Sequence, residues 1–563
     1  MLTNLFFILL AALIGGLFAK LAKLPSLVGY IAAGIIGGII LALDGVTIQN
    51  IAELGVILLL FSVGLEVSLE KLLKVGKVAI LGSILQIILF SGVSFWILTA
   101  IGGMAPTGAL VLSLAFSLSS TALIVKIMSE GGETGTIHYE ILTSWALVQD
   151  LAVIPIVVLL PSLTLQSNSN WAAVAGSSIL TTAFVLGIIL LTGKLIAPYL
   201  THLVASTNNR EFLLLLAITL ALGIASLVSL FGISAAFGAF LAGLVISKTQ
   251  ENHAIFSETR PLRDIFSILF FVSLGFLVSP AFILSHFLII IVLAFLVIVL
   301  KALITFLLCI IFGVRGRTAI SVSLGLAQVG EFAFVLFLIA KSLGVLTDEL
   351  SSIGIATTLV TLLISPFLFK AITPVWKRLK AATINSKPLR SLFVSGNLTE
   401  KENTLELKNH IIICGFGKMG KWIGKALYEI GVDFVIIDYN RKTIHSALVS
   451  GQYAIYGDAS LPEVLVAAKI ERAKAIIISL PDVVAQEEII VYCQKNFPNI
   501  KIMARAHLDS DMKKLVTYKI HKVIQPEFEA ALSIVRSILV TSGKDKDEIN
   551  KKIKSLRLSH ANI

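Results

Sequence analysis

Three ionisable side chains stand inside apolar runs of this chain, and a glycine-rich turn lies far downstream of them. Asp150 follows Gln149 in SWALVQDLA (144–152), Lys301 sits near the middle of a long apolar stretch, and Glu331 ends GLAQVGE (325–331). Charges in hydrocarbon are costly, and where they persist they mark ion pathways or proton relays. A carboxylate shielded from water holds a proton readily, and a neighbouring cation displaces it. One such group can hold H⁺ or a monovalent cation in turn. The turn is Gly415-Phe416-Gly417-Lys418-Met419-Gly420, with Asp438 eighteen residues beyond Gly420. Glycines there allow a tight turn and close approach to a phosphate, which rests on the N-terminus of the following helix. A carboxylate at the position of Asp438 suits a ribose with a free 2′-OH and repels a 2′-phosphate.

The elements that must position these groups are of two kinds. Thirteen apolar stretches long enough to span a bilayer recur between 3–22 and 352–375. The fifth is 106–128, the seventh 171–198, the eleventh 283–313 and the twelfth 317–342; the eighth and ninth are divided only near Phe231-Gly232. Small and polar residues interrupt the fifth (Ser119, Ser120, Thr121) and the twelfth (Gly325, Gln328, Gly330). A helix can unwind at such places and turn backbone groups toward an ion. The two interruptions are seven spans apart, as corresponding members of an inverted repeat would be. The structural alternatives are a buried Asp150–Lys301 ion pair and a Glu331 carboxylate capping half of a broken helix. Thirteen loop Lys/Arg fall in odd-numbered loops and only Lys341 in an even one. That bias puts the N-terminus outside and the C-terminal part in the cytoplasm. The N-terminus lacks a basic region and a cleavage site, so it reads as a retained first span.

Composition agrees. Hydrophobic residues make up 56% and charged residues 14% of the chain, with a mean hydropathy of +0.94. An ordinary soluble domain has about 25% charged residues. A disordered chain, a small disulfide scaffold and a purely soluble enzyme are therefore excluded. The net charge of +11 is unevenly placed. Fifteen Lys/Arg balance fifteen Asp/Glu before residue 370; six bases and no acid lie in 370–395; 24 bases face 19 acids beyond. A basic neck beside a membrane attracts anionic lipid. No basic–aromatic platform for nucleic acid accompanies it. Cys309, Cys414 and Cys493 are too scattered for a disulfide framework or a metal site.

After Lys408 short apolar runs alternate with helical periods. Strands fit 410–415, 432–438, 453–456, 474–479, 500–505 and 521–524, a βαβ array and hence a parallel Rossmann-type sheet. The expected organisation is a membrane body (1–377), a basic juxtamembrane linker (378–407), a nucleotide-binding regulatory domain (408–541) and a polar, flexible tail (542–563).

The strings ELGVILLLFSVGLE (53–66), SSTAL (119–123), VQDLAVIP (148–155), PLRDIF (261–266) and AQVGEFAF (327–334) resemble the monovalent cation:proton antiporter-2 family, and within it the Kef-type potassium/proton antiporters. The resemblance covers the whole apolar body. It implies a polytopic α-helical fold of the sodium/proton-antiporter kind, with inverted repeats and broken crossing helices, working as a homodimer in the cell (inner) membrane. It implicates Asp150 as the residue that binds potassium or a proton. Gln149 stands where electrogenic sodium/proton relatives carry a second aspartate, and Lys301 would be the family's intramembrane lysine. Ser119, Ser120, Thr121 and Glu331 complete the expected ion site. One exchanging carboxylate implies one-for-one, electroneutral exchange unless Lys301 also titrates.

In the downstream part YGDAS (456–460), KAIIIS (474–479) and Ala504-Arg505 resemble the regulator-of-potassium-conductance or TrkA-N domain over about 408–540. Such domains dimerise and bind AMP or NAD(H), which adds Asp458, Ala459 and Arg505 to the expected nucleotide site. Glutathione control belongs to the best-known Kef members. Arg505 alone matches a basic residue of that site, and Arg260 and Arg263 make the loop around Glu258 more basic than theirs, so glutathione gating stays open. Two rivals remain: a sodium/proton antiporter of the same fold, and a ligand-gated potassium channel, which lacks any filter string here. An enzyme is not expected, because no acid/base constellation stands out.

Overall fold

Pro106 opens a helix at its first turn, where the missing N–H costs nothing, and the Leu118-Ser119-Ser120 run interrupts it. In the computed structural model the helix Pro106–Ser117 passes into extended backbone at Leu118, and a new helix starts at Thr121. The same interruption recurs between Gly316–Gly325 and Phe332–Ser342. Both expected breaks are thus real breaks. The structure describes residues 2–40 (save 23 and 25), 45–66, 77–160 (save 134–135), 195–383 (save 208, 232–233 and 277) and 407–561, together with 163, 187–189, 191 and 193.

The apolar helices are α1 (Leu2–Leu21), α2 (Ser26–Ile40), α3 (Gly45–Glu66), α4 (Lys77–Trp96), α5 (Pro106–Ser117), α6 (Thr121–Glu130) and α7 (Ile137–Leu159). They continue with α8 (Leu195–Ala205), α9 (Arg210–Ser229), α10 (Ala235–Ile246), α11 (Asn252–Phe276), the short α12 (Pro280–Ser285) and α13 (Phe287–Ile311). The last are α14 (Gly316–Gly325), α15 (Phe332–Ser342) and α16 (Asp348–Thr383). Every expected span except the seventh coincides with one or more of these; the seventh (171–198) lies largely outside the described residues, as does Gly232. Among the described residues six helices are long and apolar enough to cross a membrane.

The chain divides into two compact units. The first comprises Met1–Ile124, Ile141–Phe312 and Ile320–Ile372. Its helices are apolar on the outside too: Leu288, Phe295, Leu303 and Ile311 of α13 face outward, as a lipid-facing surface requires. Inside, α3 packs on α10 and α11. There Phe61 and Leu65 meet a bed of small residues, Ala221, Ala225, Ala239 and Ala242, which lets helix backbones approach closely.

The second unit comprises Val125–Glu140, Gly313–Ala319 and Thr373–Ile563. Its centre is a six-stranded parallel sheet in the order β3-β2-β1-β4-β5-β6: β1 (Ile411–Cys414), β2 (Phe434–Asp438), β3 (Tyr453–Tyr456), β4 (Ala475–Ile478), β5 (Lys501–Arg505) and β6 (Lys522–Ile524). Its helices are α17 (Lys418–Glu429), α18 (Arg441–Val449), α19 (Pro462–Ala467), α20 (Val483–Asn496), α21 (Asp509–Val516), α22 (Pro526–Thr541) and α23 (Lys546–Ala561). All six expected strands are present, in the Rossmann order. Each sheet face has its own core, one built on Ile412, Ile476 and Ile490, the other on Ile413, Phe434 and Ile436. The strand order reverses between β1 and β4, so a crevice opens beyond their C-terminal ends.

Two expected boundaries change. The segment read as a flexible tail contains the helix α23, whose Arg557 pairs with Glu529 of α22 at 2.6 Å and whose Ile549 is buried. The first residues of the expected linker continue α16 to Thr383, and 384–406 lie outside the described residues.

Ile476 is fully buried on the central strand β4. Ile476→Ala should destabilise the 407–563 domain by about 2–5 kcal/mol, read as a lowered denaturation midpoint by circular dichroism.

Candidate functional site

The broken spans meet at their breaks. The N–H of Gly330 donates to the Leu118 carbonyl at 3.0 Å. A Cβ on Gly330 would fall 2.6 Å from the Ser119 carbonyl carbon, so glycine is required for the approach. Unwound backbone leaves orphan carbonyls and amides that must be satisfied within the protein. Here they are. The Ser119 N–H donates to Gln149 Oε1 (2.9 Å), the Ser120 N–H to Gln328 Oε1 (3.1 Å), and the Val329 N–H to Thr361 Oγ1 (3.1 Å). Gln149 donates in turn to Gln86 Oε1 at 2.6 Å, and Ser119 Oγ donates to the Leu326 carbonyl at 2.9 Å.

Lys301 of α13 is fully buried at this crossing. Its Nζ donates to the carbonyls of Phe116 (3.1 Å), Leu118 (2.5 Å) and Gln328 (2.8 Å). An ammonium has three donors, and all three are used. The donors of the ammonium thus go to backbone carbonyls rather than to the Asp150 carboxylate considered from the sequence. The reason is local: the ends of α5 and of the segment after α14 present carbonyls with the negative pole of a helix, which a cation offsets.

Asp150, on α7 beside Gln149, accepts a hydrogen bond from Thr121 Oγ1 at 2.6 Å. Thr121 is the first residue of α6, so the carboxylate lies at a helix N-terminus. The Ser120 Oγ accepts from the Leu123 N–H at 3.3 Å. Glu331 occupies the N-cap position of α15, yet its side chain makes no capping bond, and its Oε2 is enclosed without a partner. Thus all seven sequence-selected residues gather at one crossing, and Gln86, Gln328 and Thr361 join them. Gln328 was visible as an interruption; Gln86 and Thr361 carried no local signal.

A second site lies at the sheet's crevice. Gly415 has φ +91°, which admits glycine, and its carbonyl blocks any Cβ on Gly420. Ser479, just after β4, donates to the Gly415 carbonyl at 2.6 Å and holds the loop down. The Phe416 N–H donates to Asp438 Oδ2 (2.6 Å), and the Asn440 N–H to Oδ1 (2.7 Å). A cavity of about 550 Å³ opens here, lined by Gly415, Gly417, Lys418, Met419, Asp438, Asp458, Ala459 and Arg505. Phe416 and Gly420 are not among its lining residues. Residues not selected from the sequence also line it: Tyr439, Ser460, Ser479, Asp482, and from other segments of the same unit Thr136, His138, Arg317 and Trp376. Burial pushes the Asp458 carboxyl above its usual range; hydrogen bonds from Ser460 oppose this, and the charges of Asp482 and Glu488 reinforce it. The three cysteines are buried thiols.

A family model, sodium/hydrogen exchanger, transmembrane, matches residues 8–373, and the TrkA-N domain matches 411–526. The chain is 31% identical to the putative cation/proton antiporter YbaL of Escherichia coli, over 94% of this chain and 95% of that one. It is 30% identical to the glutathione-regulated potassium-efflux system protein KefC of Cronobacter sakazakii, over 95% of this chain and 84% of that one. The sodium proton antiporter MjNhaP1 of Methanocaldococcus jannaschii shares the fold at a TM-score of 0.53 and 17% identity, covering 66% of this chain and 98% of that structure.

Lys301→Met would strip three buried carbonyls of a charged donor. Hydrogen bonds to charged groups contribute about 1.5–3 kcal/mol each. The melting temperature of the detergent-purified protein should fall sharply; an unchanged midpoint would show that the crossing does not depend on the ammonium.

Proposed function

The chain belongs to the sodium/hydrogen exchanger family, in the Kef-type branch with a C-terminal TrkA-N domain, and on that footing we propose that it is a secondary-active potassium/proton antiporter regulated by a nucleotide. The observation that carries the reading is the Asp150 carboxylate, met by Thr121 at a half-helix N-terminus beside the crossing of two broken spans. Such crossings place backbone and a carboxylate where an ion can exchange its hydration shell for protein oxygens. Asp150 holds either H⁺ or K⁺, and each crossing of the membrane carries one of them. Gln149 is neutral and spent on Ser119 and Gln86, and the Lys301 donors are spent on carbonyls. Asp150 is then the exchanging charge, which supports one-for-one, electroneutral exchange by alternating access. Ser119 and Ser120 hold the break open, and Glu331 is a carboxylate in reserve beside it. The name of the Cronobacter relative supports potassium as the cation.

The TrkA-N match and the glycine-loop cavity support AMP or NAD(H) as the regulatory ligand. Gly417, Lys418 and Met419 present a helix N-terminus to a phosphate. Asp438 takes the ribose, while Asp458 and Ala459 line the crevice floor. Loop charges support an N-terminus outside the cell membrane and a cytoplasmic TrkA-N domain. The basic neck fits anionic lipid, and the working unit is a homodimer. Arg505 and the relative's name keep glutathione as a second effector to test.

In proteoliposomes a K⁺ gradient should drive proton flux in the wild type, more strongly than a Na⁺ gradient, and Asp150→Asn should abolish it. Exchange retained by Asp150→Asn would remove Asp150 from the mechanism; a preference for Na⁺ would replace potassium as the cargo. By calorimetry on the full-length protein, NADH should bind more tightly than NADPH, since Asp438 repels a 2′-phosphate; the reverse order would contradict that role.

A further inference from the structure

The glycine-loop cavity has one wall that the nucleotide fingerprint does not account for, and Arg317 is its cation. The Arg317 side chain is 11% exposed. One terminal nitrogen meets Asp482 Oδ2, the other lies 3.6 Å from Glu133 Oε1, and Nε is enclosed with no hydrogen-bond partner. Arg505, on the same cavity, has a side chain 24% exposed; its Nε is enclosed and unpartnered, and its terminal nitrogen lies 3.7 Å from Glu527 and 3.5 Å from His507 Nδ1. A guanidinium offers five donors in a fixed fork and reads carboxylates and phosphates bidentately. Two guanidinium forks on one cavity, each with an unpartnered Nε, beside a glycine loop suited to phosphate offer an anion site in a cavity that already has a nucleotide fingerprint.

We propose that Arg317 is part of the ligand site, where it takes the phosphate of the nucleotide held by the glycine loop and gives up Asp482 to do so. The proposal rests on the nucleotide reading above. Asp482 loses little in the exchange, because its Oδ1 keeps the cap of α20, accepting from the Val484 N–H (3.0 Å) and the Ala485 N–H (3.3 Å). Glu133 stays as the fixed partner. Burial favours its neutral form, but the 2.6 Å hydrogen bond and charge of His138, with the charge of Arg317, outweigh this and hold its carboxyl below the usual range. Arg317 stands in the first turn of α14, and Glu133 follows α6 by three residues. Each of these helices is one half of a broken span. Exchange of Asp482 for a phosphate at Arg317 thus changes the load on those halves, a direct route from ligand to transport.

The test is calorimetric titration of the purified full-length protein with AMP and with adenosine, which lacks the phosphate. Wild type should bind AMP the more tightly. Arg317→Gln should weaken AMP about tenfold or more and leave adenosine unchanged. Asp482→Asn retains an oxygen to cap α20 but frees the fork, and should tighten AMP several-fold; this arm decides the matter even if Arg317→Gln does not fold. If wild type binds neither AMP nor NADH, the nucleotide reading itself falls. If wild type binds AMP and Asp482→Asn binds it equally or more weakly, or Arg317→Gln weakens AMP and adenosine alike, Arg317 is structural and the proposal is overturned.

Discussion

An ammonium buried in an apolar helix persists only where each of its protons is taken up, and Lys301 meets that condition with three main-chain oxygens from two different breaks. The rest of the crossing depends on this. A break in an apolar span strands carbonyls that water cannot reach. The lysine covers three of them, Gly330 takes a second bond to the Leu118 oxygen, and the amides of Gln149 and Gln328 cover the stranded N–H groups of Ser119 and Ser120. Remove the cation, and two helix ends with the same polarity face each other unpaired.

That arrangement also decides what the charges can do. Opposite charges in an apolar body invite pairing, and a paired Asp150 would be poorly placed to release a cation. Because backbone dipoles satisfy the ammonium, it neither consumes the carboxylate nor needs it. In the exchange proposed here the site can then pass between H⁺-loaded and cation-loaded forms of equal charge. The neutral Gln149 beside it reinforces this: where a second aspartate would add a charge, an amide spends both its ends on Ser119 and Gln86.

What could be read from the sequence was whatever is written in neighbouring residues. The spans follow from apolar runs, the breaks from Ser119, Ser120 and Gly330, and the sheet from short strands around GFGKMG, with Asp438 at the end of the second. Long-range partners were out of reach. Lys301 bonds oxygens 27 to 185 residues away, and a carbonyl carries no residue identity, so residue type pointed to Asp150 instead. Arg317 and Asp482 are 165 residues apart and look like an ordinary loop charge and an ordinary helix cap. The tail misled for the opposite reason. Its Lys and Glu suggest a solvated coil, but the buried Ile549, the Arg557–Glu529 ion pair and the Arg536–Asn550 hydrogen bond hold a helix against α22.

The downstream site puts loop shape and ligand choice on the same carboxylate. Asp438 accepts from the Phe416 N–H inside the glycine turn and from the Asn440 N–H behind it. A carboxylate has about four acceptor sites, so two remain for the hydroxyls of a ribose. A 2′-phosphate there would meet the charge of Asp438, and moving that charge aside would release the Phe416 amide and with it the turn that Gly415 makes at φ +91°. In the nucleotide reading proposed above, discrimination against a phosphorylated ribose would rest on the geometry of the phosphate loop as well as on repulsion. A substitution at Asp438 should for that reason disturb the loop and the selectivity together, whereas Ser479, which holds the same loop through the Gly415 carbonyl, should disturb the loop alone.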